Sequence, residues 1–151
     1  MSGPSTAQPS ERRRSPLIAL IAAVIFVALV VACDGVISLI ANRDVIPQTD
    51  ASPLLGPAMA AAGAAVVFIA VLPTRPWIEG RPNFSLSRSF VAAVAIYLAG
   101  PIVGAILYSI GRDEPFTAVI FFFQYLASPF AIAAAVAGFA TVFGAPILER
   151  P

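Results

Sequence analysis

The sequence predicts an all-α membrane protein, a bundle of four transmembrane helices, on three observations. Of its 151 residues, 59% are hydrophobic and 11% are charged, and the mean hydropathy of +0.90 lies well above that of soluble domains. Four segments reach the roughly 20 apolar residues that a membrane-crossing helix needs. Nearly all charged residues lie outside those segments. The composition therefore argues against a soluble enzyme and against a disordered chain.

The chain divides into one transmembrane domain and two short tails. Residues 1–15 are rich in Ser, Pro and Gly and contain three consecutive arginines, so we expect a disordered cytoplasmic tail. Residues 16–146 form the transmembrane domain, and residues 147–151 form a second cytoplasmic tail. The predicted spans lie at about 17–41, 53–72, 87–111 and 116–143.

Three prolines mark ends or interiors of the predicted helices. Pro53 follows Ser52, and this pair is typical of an N-cap and a first helical residue. Pro101 and Pro129 lie inside the third and fourth spans, where each removes a backbone donor. The sequence therefore predicts a kink in both of these helices.

The arginines predict the orientation of the chain in the membrane. Seven of the nine fall on one side of a four-span chain, only Arg43 and Arg112 fall on the other, and there is no lysine. Basic residues in short flanks are retained in the cytoplasm. We therefore expect a multi-pass protein of a bacterial cytoplasmic membrane, surrounded by the lipid bilayer, with both termini in the cytoplasm.

The two halves of the sequence share a weak repeat. Segments match at shifts of 69 and 72 residues: Gly35 with Gly104, Arg43-Asp44 with Arg112-Asp113, and Leu54-Leu55-Gly56-Pro57 with Leu126-Ala127-Ser128-Pro129. An even number of spans in each unit keeps the two units in the same orientation. The pattern favours two repeated helical hairpins in parallel orientation, and chance similarity between Ala-rich spans is the alternative.

Asp34 is the one carboxylate within a predicted span, and intramembrane carboxylates are costly and commonly functional. Its cost of roughly 3 kcal/mol is exceeded by fifteen Leu, Ile, Val and Phe residues of the same span, at about 0.3–0.6 kcal/mol each. Ser38 lies one turn away on the same face, and Tyr108 and Gln124 fall at similar depth in later spans. These four residues form a candidate polar cluster, which is either a structural hydrogen-bonded group or a proton or substrate site.

Histidine is absent and Cys33 is the single cysteine, which excludes imidazole metal sites, haem ligation by His, His-based triads and paired-cysteine redox chemistry. We expect no metal, no cofactor and no catalytic residue. Val30-Val31-Ala32-Cys33 also has the form of a lipoprotein cleavage site, but the apolar run continues beyond it, which favours a buried small hydrophobe. The net charge of +1 gives no sign of a nucleic-acid partner.

Short motifs carry a resemblance to a known family. These are Arg43-Asp44-Val45-Ile46-Pro47, Pro53-Leu54-Leu55-Gly56-Pro57-Ala58 and Ser128-Pro129-Phe130, set in Ala- and Val-rich spans. They resemble a small actinobacterial family of four-span integral membrane proteins of unknown function, over residues 17–145. The resemblance implies the four-span fold and transfers no catalytic residue. The predicted arrangement of four short spans with a carboxylate in the first also resembles that of small multidrug resistance transporters. Those transporters differ from this chain because their carboxylate is a glutamate and a tryptophan lies within their spans.

We predict a small non-catalytic integral membrane protein, an accessory or assembly partner of a membrane complex or a homo-oligomer. Small residues at 60–65 and 131–138 favour it because they let helices approach closely. The first alternative is a small proton-coupled transporter that uses Asp34. The second is a membrane-embedded enzyme, which ranks last because no nucleophile with a neighbouring base is present.

Overall fold

The computed structural model describes residues 16–42, 46, 52–72, 77–78, 81–82, 84–110 and 115–148. Within these residues, five α-helices follow in order: α1 Pro16–Ala41, α2 Leu55–Val71, α3 Leu86–Ile110, α4 Pro115–Leu126 and α5 Pro129–Gly144. A 3-10 turn, Ala145–Leu148, continues α5. Two short strands, β1 Trp77–Ile78 and β2 Arg81–Pro82, pair antiparallel between α2 and α3. The fold is thus helical apart from this small hairpin.

Helices α1, α2, α3 and α5 form a ring in which each helix packs against two neighbours. Helix α1 contacts α2 and α5, and α3 contacts the same two helices from the opposite side. Helices α2 and α5 also meet across the centre. One buried cluster joins all four, with Phe26 of α1, Val67 of α2, Ile96 of α3 and Ala137 of α5 among its members.

Glycines allow the helices to approach closely at this centre. A Cβ atom on Gly63 of α2 would lie 2.8 Å from the ring of Phe26, and a Cβ atom on Gly138 of α5 would clash with Cδ1 of Ile96. The large side chains of α1 and α3 therefore occupy space that only glycine leaves free on α2 and α5.

The first three helices lie where the first three spans are predicted, with bounds that differ by at most two residues. Helix α2 begins at Leu55, two residues after the predicted start at Pro53. Ser52 caps the preceding turn instead, because its Oγ accepts from the backbone N of Leu54 at 3.3 Å. Helix α3 remains one helix through Pro101, the site of a predicted kink.

The segment predicted as a fourth, kinked span is divided into two helices. Helix α4 ends at Leu126 and α5 begins at Pro129. The side chain of Ser128 caps α5 by accepting from the backbone N of Ala131 at 3.3 Å, and the Tyr97 hydroxyl donates to the Leu126 carbonyl at 2.6 Å. A serine cap followed by proline starts a new helix, so the chain breaks here where a kink was predicted.

Helices α4 and α5 lie one after the other along α3. Phe121 of α4 stacks on Tyr108 near the end of α3, with ring centroids 5.1 Å apart. Phe143 of α5 stacks on Phe84, just before the start of α3, at 5.0 Å. The two helices together therefore run antiparallel to α3 over its whole length.

Three stretches of the described chain are long and apolar enough to cross a membrane: α1, α3 and Pro129–Leu148. Helices α2 and α4 are shorter and also apolar. The described part of the chain, helical apart from the hairpin, is thus compatible with a membrane protein.

Candidate functional site

A cavity of about 590 Å³ lies between the helices, within the size range of small-molecule sites. All five helices contribute to its wall. Its lining includes Phe26, Val30 and Asp34 of α1, Gly56, Met59 and Gly63 of α2, Ile96, Gly100 and Pro101 of α3, Tyr125 of α4, and Ala131 and Ala134 of α5.

Two polar side chains, Asp34 and Tyr125, face this cavity among the described residues that line it. Asp34 is half-buried, and its Oδ1 atom is buried with no hydrogen-bond partner in the described part of the chain. Tyr125 lies close enough to interact electrostatically with Asp34. A buried carboxylate oxygen without a donor is unfavourable, so this corner of the cavity is suited to receive a donor from outside the chain.

Within the described residues, the C-terminal half of α1 is less covered than its N-terminal half, and the cavity extends to this less covered part. Every buried residue of α1 lies between Ala19 and Val30, and none lies from Val31 to Ala41. Helix α5 and its 3-10 turn cover the N-terminal half of α1. Since α5 begins only at Pro129, it does not extend beside the C-terminal half.

Gly35 of α1 and Gly104 of α3, which the predicted repeat aligns, differ in how closely other side chains approach them. A Cβ atom on Gly104 of α3 would lie 2.7 Å from Phe121 and 2.8 Å from Sδ of Met59, whereas a Cβ atom on Gly35 of α1 would meet nothing within 4 Å. Helix α4 fills the space beside α3 with the ring of Phe121. The corresponding space beside α1 opens into the cavity, which Gly35 also lines.

The structure places one of the four predicted cluster residues, Asp34, in the cavity wall. Ser38 is half-buried further along α1, Tyr108 stacks on Phe121, and Gln124 lies on the exposed side of α4. None of these three lines the cavity. The polar residue that faces Asp34 is Tyr125, where the sequence predicted Tyr108 or Gln124.

Sequence reasoning missed Tyr125 because it treated residues 116–143 as one helix and followed a stripe through Gln124 and Ser128. The break before Pro129 ends that stripe. A usable signal was the aromatic pair Phe121 and Tyr125, which are four residues apart and therefore share a face. Their rings stack with centroids 6.0 Å apart.

Other predicted features add no second site in the described ranges. Cys33, predicted to be a buried small hydrophobe, is a free and half-buried cysteine, and it does not line the cavity. Among the residues that the structure describes, no group of three His, Cys, Asp or Glu side chains is placed to hold a metal. The Arg43-Asp44 and Arg112-Asp113 pairs lie outside the described residues.

Comparison with known proteins gives one match. No curated protein and no solved structure is similar to this chain. A family model matches residues 9–150, and its description is that of a family of unknown function. This confirms the predicted resemblance to an uncharacterised family, whereas the actinobacterial origin and the four spans stay predictions. The chain belongs to that family, DUF6121.

Proposed function

We propose that the chain is a small integral membrane protein with four crossing segments, and that its function is to hold a small molecule in the Asp34 cavity without catalysing a reaction. The observation that carries this proposal is the unpartnered, buried Oδ1 atom of Asp34 at an apolar cavity. Polar groups in such sites fix the orientation of a ligand, and the apolar wall provides most of the contact area.

The packing of α4 and α5 supports the fourth crossing. The two helices follow α3 along its length in the opposite direction, as one divided segment would. Interrupted helices are tolerated at membrane depth where the freed backbone groups find partners within the protein. Tyr97 provides such a partner for Leu126, and Ser128 provides one for Ala131. Helix α2 has 17 residues, at the short end of the range for membrane spans.

The helix bounds support the duplication. A shift of 69 residues carries α1 onto residues 85–110, within one residue of α3, and a shift of 72 carries α2 onto residues 127–143, close to α5. The ring of contacts has the same order in both halves, since α1 and α3 each pack between α2 and α5. We propose two hairpins, α1 with α2 and α3 with α5, in the same orientation. Seven arginines against two favour cytoplasmic termini in a bacterial cytoplasmic membrane.

Native mass spectrometry of the full chain from membranes tests the binding function. Gly35→Leu should place a side chain in the cavity without a clash, because a Cβ atom there meets nothing within 4 Å. We expect the wild-type protein to carry a bound small molecule that Gly35→Leu lacks. Gly144→Leu is the matched control, since a Cβ atom there also meets nothing within 4 Å and Gly144 does not line the cavity. Identical bound molecules in wild type and Gly35→Leu would contradict the proposal.

Proton-coupled transport through Asp34 is a form of the same proposal in which the carboxyl exchanges a proton for the ligand. An apolar cavity between helices that also contains the carboxylate favours this form. It requires the ligand to leave the cavity on both sides of the membrane, so it is tested by flux across proteoliposomes.

A second candidate is the predicted accessory or assembly role, as a partner of another membrane protein or of a second copy. The C-terminal half of α1 favours it, because Val31, Leu39 and Ile40 are 63%, 83% and 80% exposed in the part of the chain that the structure describes. A molecular mass above one copy in mild detergent, by light scattering, would support self-association. The mass of a single copy without co-purifying protein would count against the role.

A further inference from the structure

We propose that the ligand of the Asp34 cavity is an amphiphilic amine, whose ammonium group pairs with Asp34 and whose apolar body extends toward Phe26. This inference rests on the proposed binding function and specifies the class of ligand. It concerns a free small molecule rather than a lipid, because a volume of about 590 Å³ is that of a small-molecule site.

The charge of the cavity points to a cation. Asp34 is the one carboxylic acid among the described lining residues, and none of those residues is basic. The whole chain also lacks Lys and His. An ammonium group would give Oδ1 the donor that the described part of the chain does not give it. Such charge-assisted hydrogen bonds are strong, and their strength increases in surroundings of low dielectric constant.

The shape of the cavity points to an apolar body attached to that cation. Phe26 and Asp34 are eight residues apart on α1, which corresponds to about 12 Å along the helix. Between them the wall consists of Val30 and of side chains such as Met59 and Ile96 from the facing helices. Tyr125 adds an aromatic ring at the cavity, and aromatic faces attract cations.

The same lining disfavours other ligand classes. An anion would meet the Asp34 carboxylate with no described basic side chain to offset it, and like charges in surroundings of low dielectric constant repel strongly. A sugar or another strongly polar molecule would leave most of its hydroxyl groups unpaired, because only Asp34 and Tyr125 offer polar side chains in the described wall.

Three probes that share a 4-phenylbutyl group test the inference: 4-phenylbutylammonium, 4-phenylbutanol and 5-phenylpentanoate. Binding to the full chain in phosphatidylcholine nanodiscs is measured after subtraction of uptake by empty discs. We expect wild type to bind the ammonium about tenfold more tightly than the alcohol, and the carboxylate most weakly. Asp34→Asn should remove this preference while the affinity for the alcohol stays within about threefold. Asp34→Glu should keep the preference for the ammonium. Cys33→Ala should keep it too, because Cys33 does not line the cavity.

The outcomes separate the ligand class from the binding function. Equal affinity of wild type for the ammonium and the alcohol would overturn the amine inference and leave the cavity as a binding site. No binding of any probe to wild type, as in Gly35→Leu, would overturn both proposals. Loss of ammonium binding when phosphatidylethanolamine replaces phosphatidylcholine would overturn the assignment to a free amine, because the lipid headgroup would then be the occupant.

Discussion

The hydrogen bond from Tyr97 to Leu126 offers a direct test of how the divided segment is held in place. Helix α4 ends at Leu126, so this carbonyl is among the last four of the helix, which have no donor from a following turn. The Tyr97 hydroxyl donates to it across the α3–α4 interface at 2.6 Å. Tyr97→Phe removes one oxygen atom and leaves the ring in place.

The expected loss of stability follows from the surroundings of the acceptor. Hydrogen bonds between membrane helices contribute about 0.6 kcal/mol on average and about 1.7 kcal/mol at most. We expect the Tyr97 hydrogen bond to lie at the upper end of this range. The Leu126 carbonyl is partly buried at the end of a helix, and an unsatisfied buried acceptor costs about 1–3 kcal/mol. We expect Tyr97→Phe to lower the free energy of unfolding by about 1.5 kcal/mol, which raises the unfolded fraction about tenfold.

Equilibrium unfolding in mixed micelles, with increasing sodium dodecyl sulfate and circular dichroism as the readout, measures this change. Ser109→Ala is the matched control on the same helix. It also deletes one hydroxyl, but that hydroxyl donates to the Ile106 carbonyl of its own helix at an exposed position. We expect less than about 0.5 kcal/mol for this control, as for most surface substitutions. Equal unfolding free energies for Tyr97→Phe and Ser109→Ala would refute the role given to Tyr97.

Two further predictions concern the packing and the topology. Gly138→Ala should be less stable than Gly144→Ala by about 1 kcal/mol in the same unfolding assay, because its new methyl group would force the buried side chain of Ile96 to shift. A Cβ atom on Gly144 meets nothing within 4 Å, so this variant controls for the gain in helix propensity that Gly→Ala brings. Equal stability of the two variants would contradict the close packing. In a background without the native cysteine, Asp44→Cys should react with an impermeant thiol reagent on intact cells and Arg81→Cys only after permeabilisation. The reverse pattern would exclude cytoplasmic termini.

The first three helices were predictable because long apolar segments between charged loops leave little choice of structure in a membrane. Helices α1 and α3 each contain about 25 residues without an interruption other than Pro101, and the sequence places both within one residue of their observed ends. The position of Asp34 in the wall of a cavity between the helices agrees with the same reasoning, because a lipid-facing carboxylate would be costly.

The division of the fourth segment was not predictable from its proline alone. Pro101 and Pro129 each follow a small residue within an apolar run, yet α3 continues through the first and the chain breaks before the second. The difference lies in local capping and in tertiary contacts. Ser128 provides an N-cap for a new helix, and Tyr97, 29 residues away in sequence, binds the end of the preceding one. Tyr125 rather than Gln124 lines the cavity with Asp34, and the sequence did not show this because the predicted stripe through Gln124 and Ser128 assumed one helix across the break.

The unequal surroundings of Gly35 and Gly104 have a consequence for stoichiometry. The proposed duplication would ordinarily give two equivalent sites, but the ring of Phe121 already occupies the space beside Gly104. Within the described part of the chain, only the Gly35 side leaves room for a ligand near a carboxylate. Binding should therefore saturate at one molecule per chain. If the fold arose by duplication, the hairpin of α3 and α5 now serves to pack against the hairpin of α1 and α2, which holds the ligand. The sequences of the two hairpins are then under different constraints.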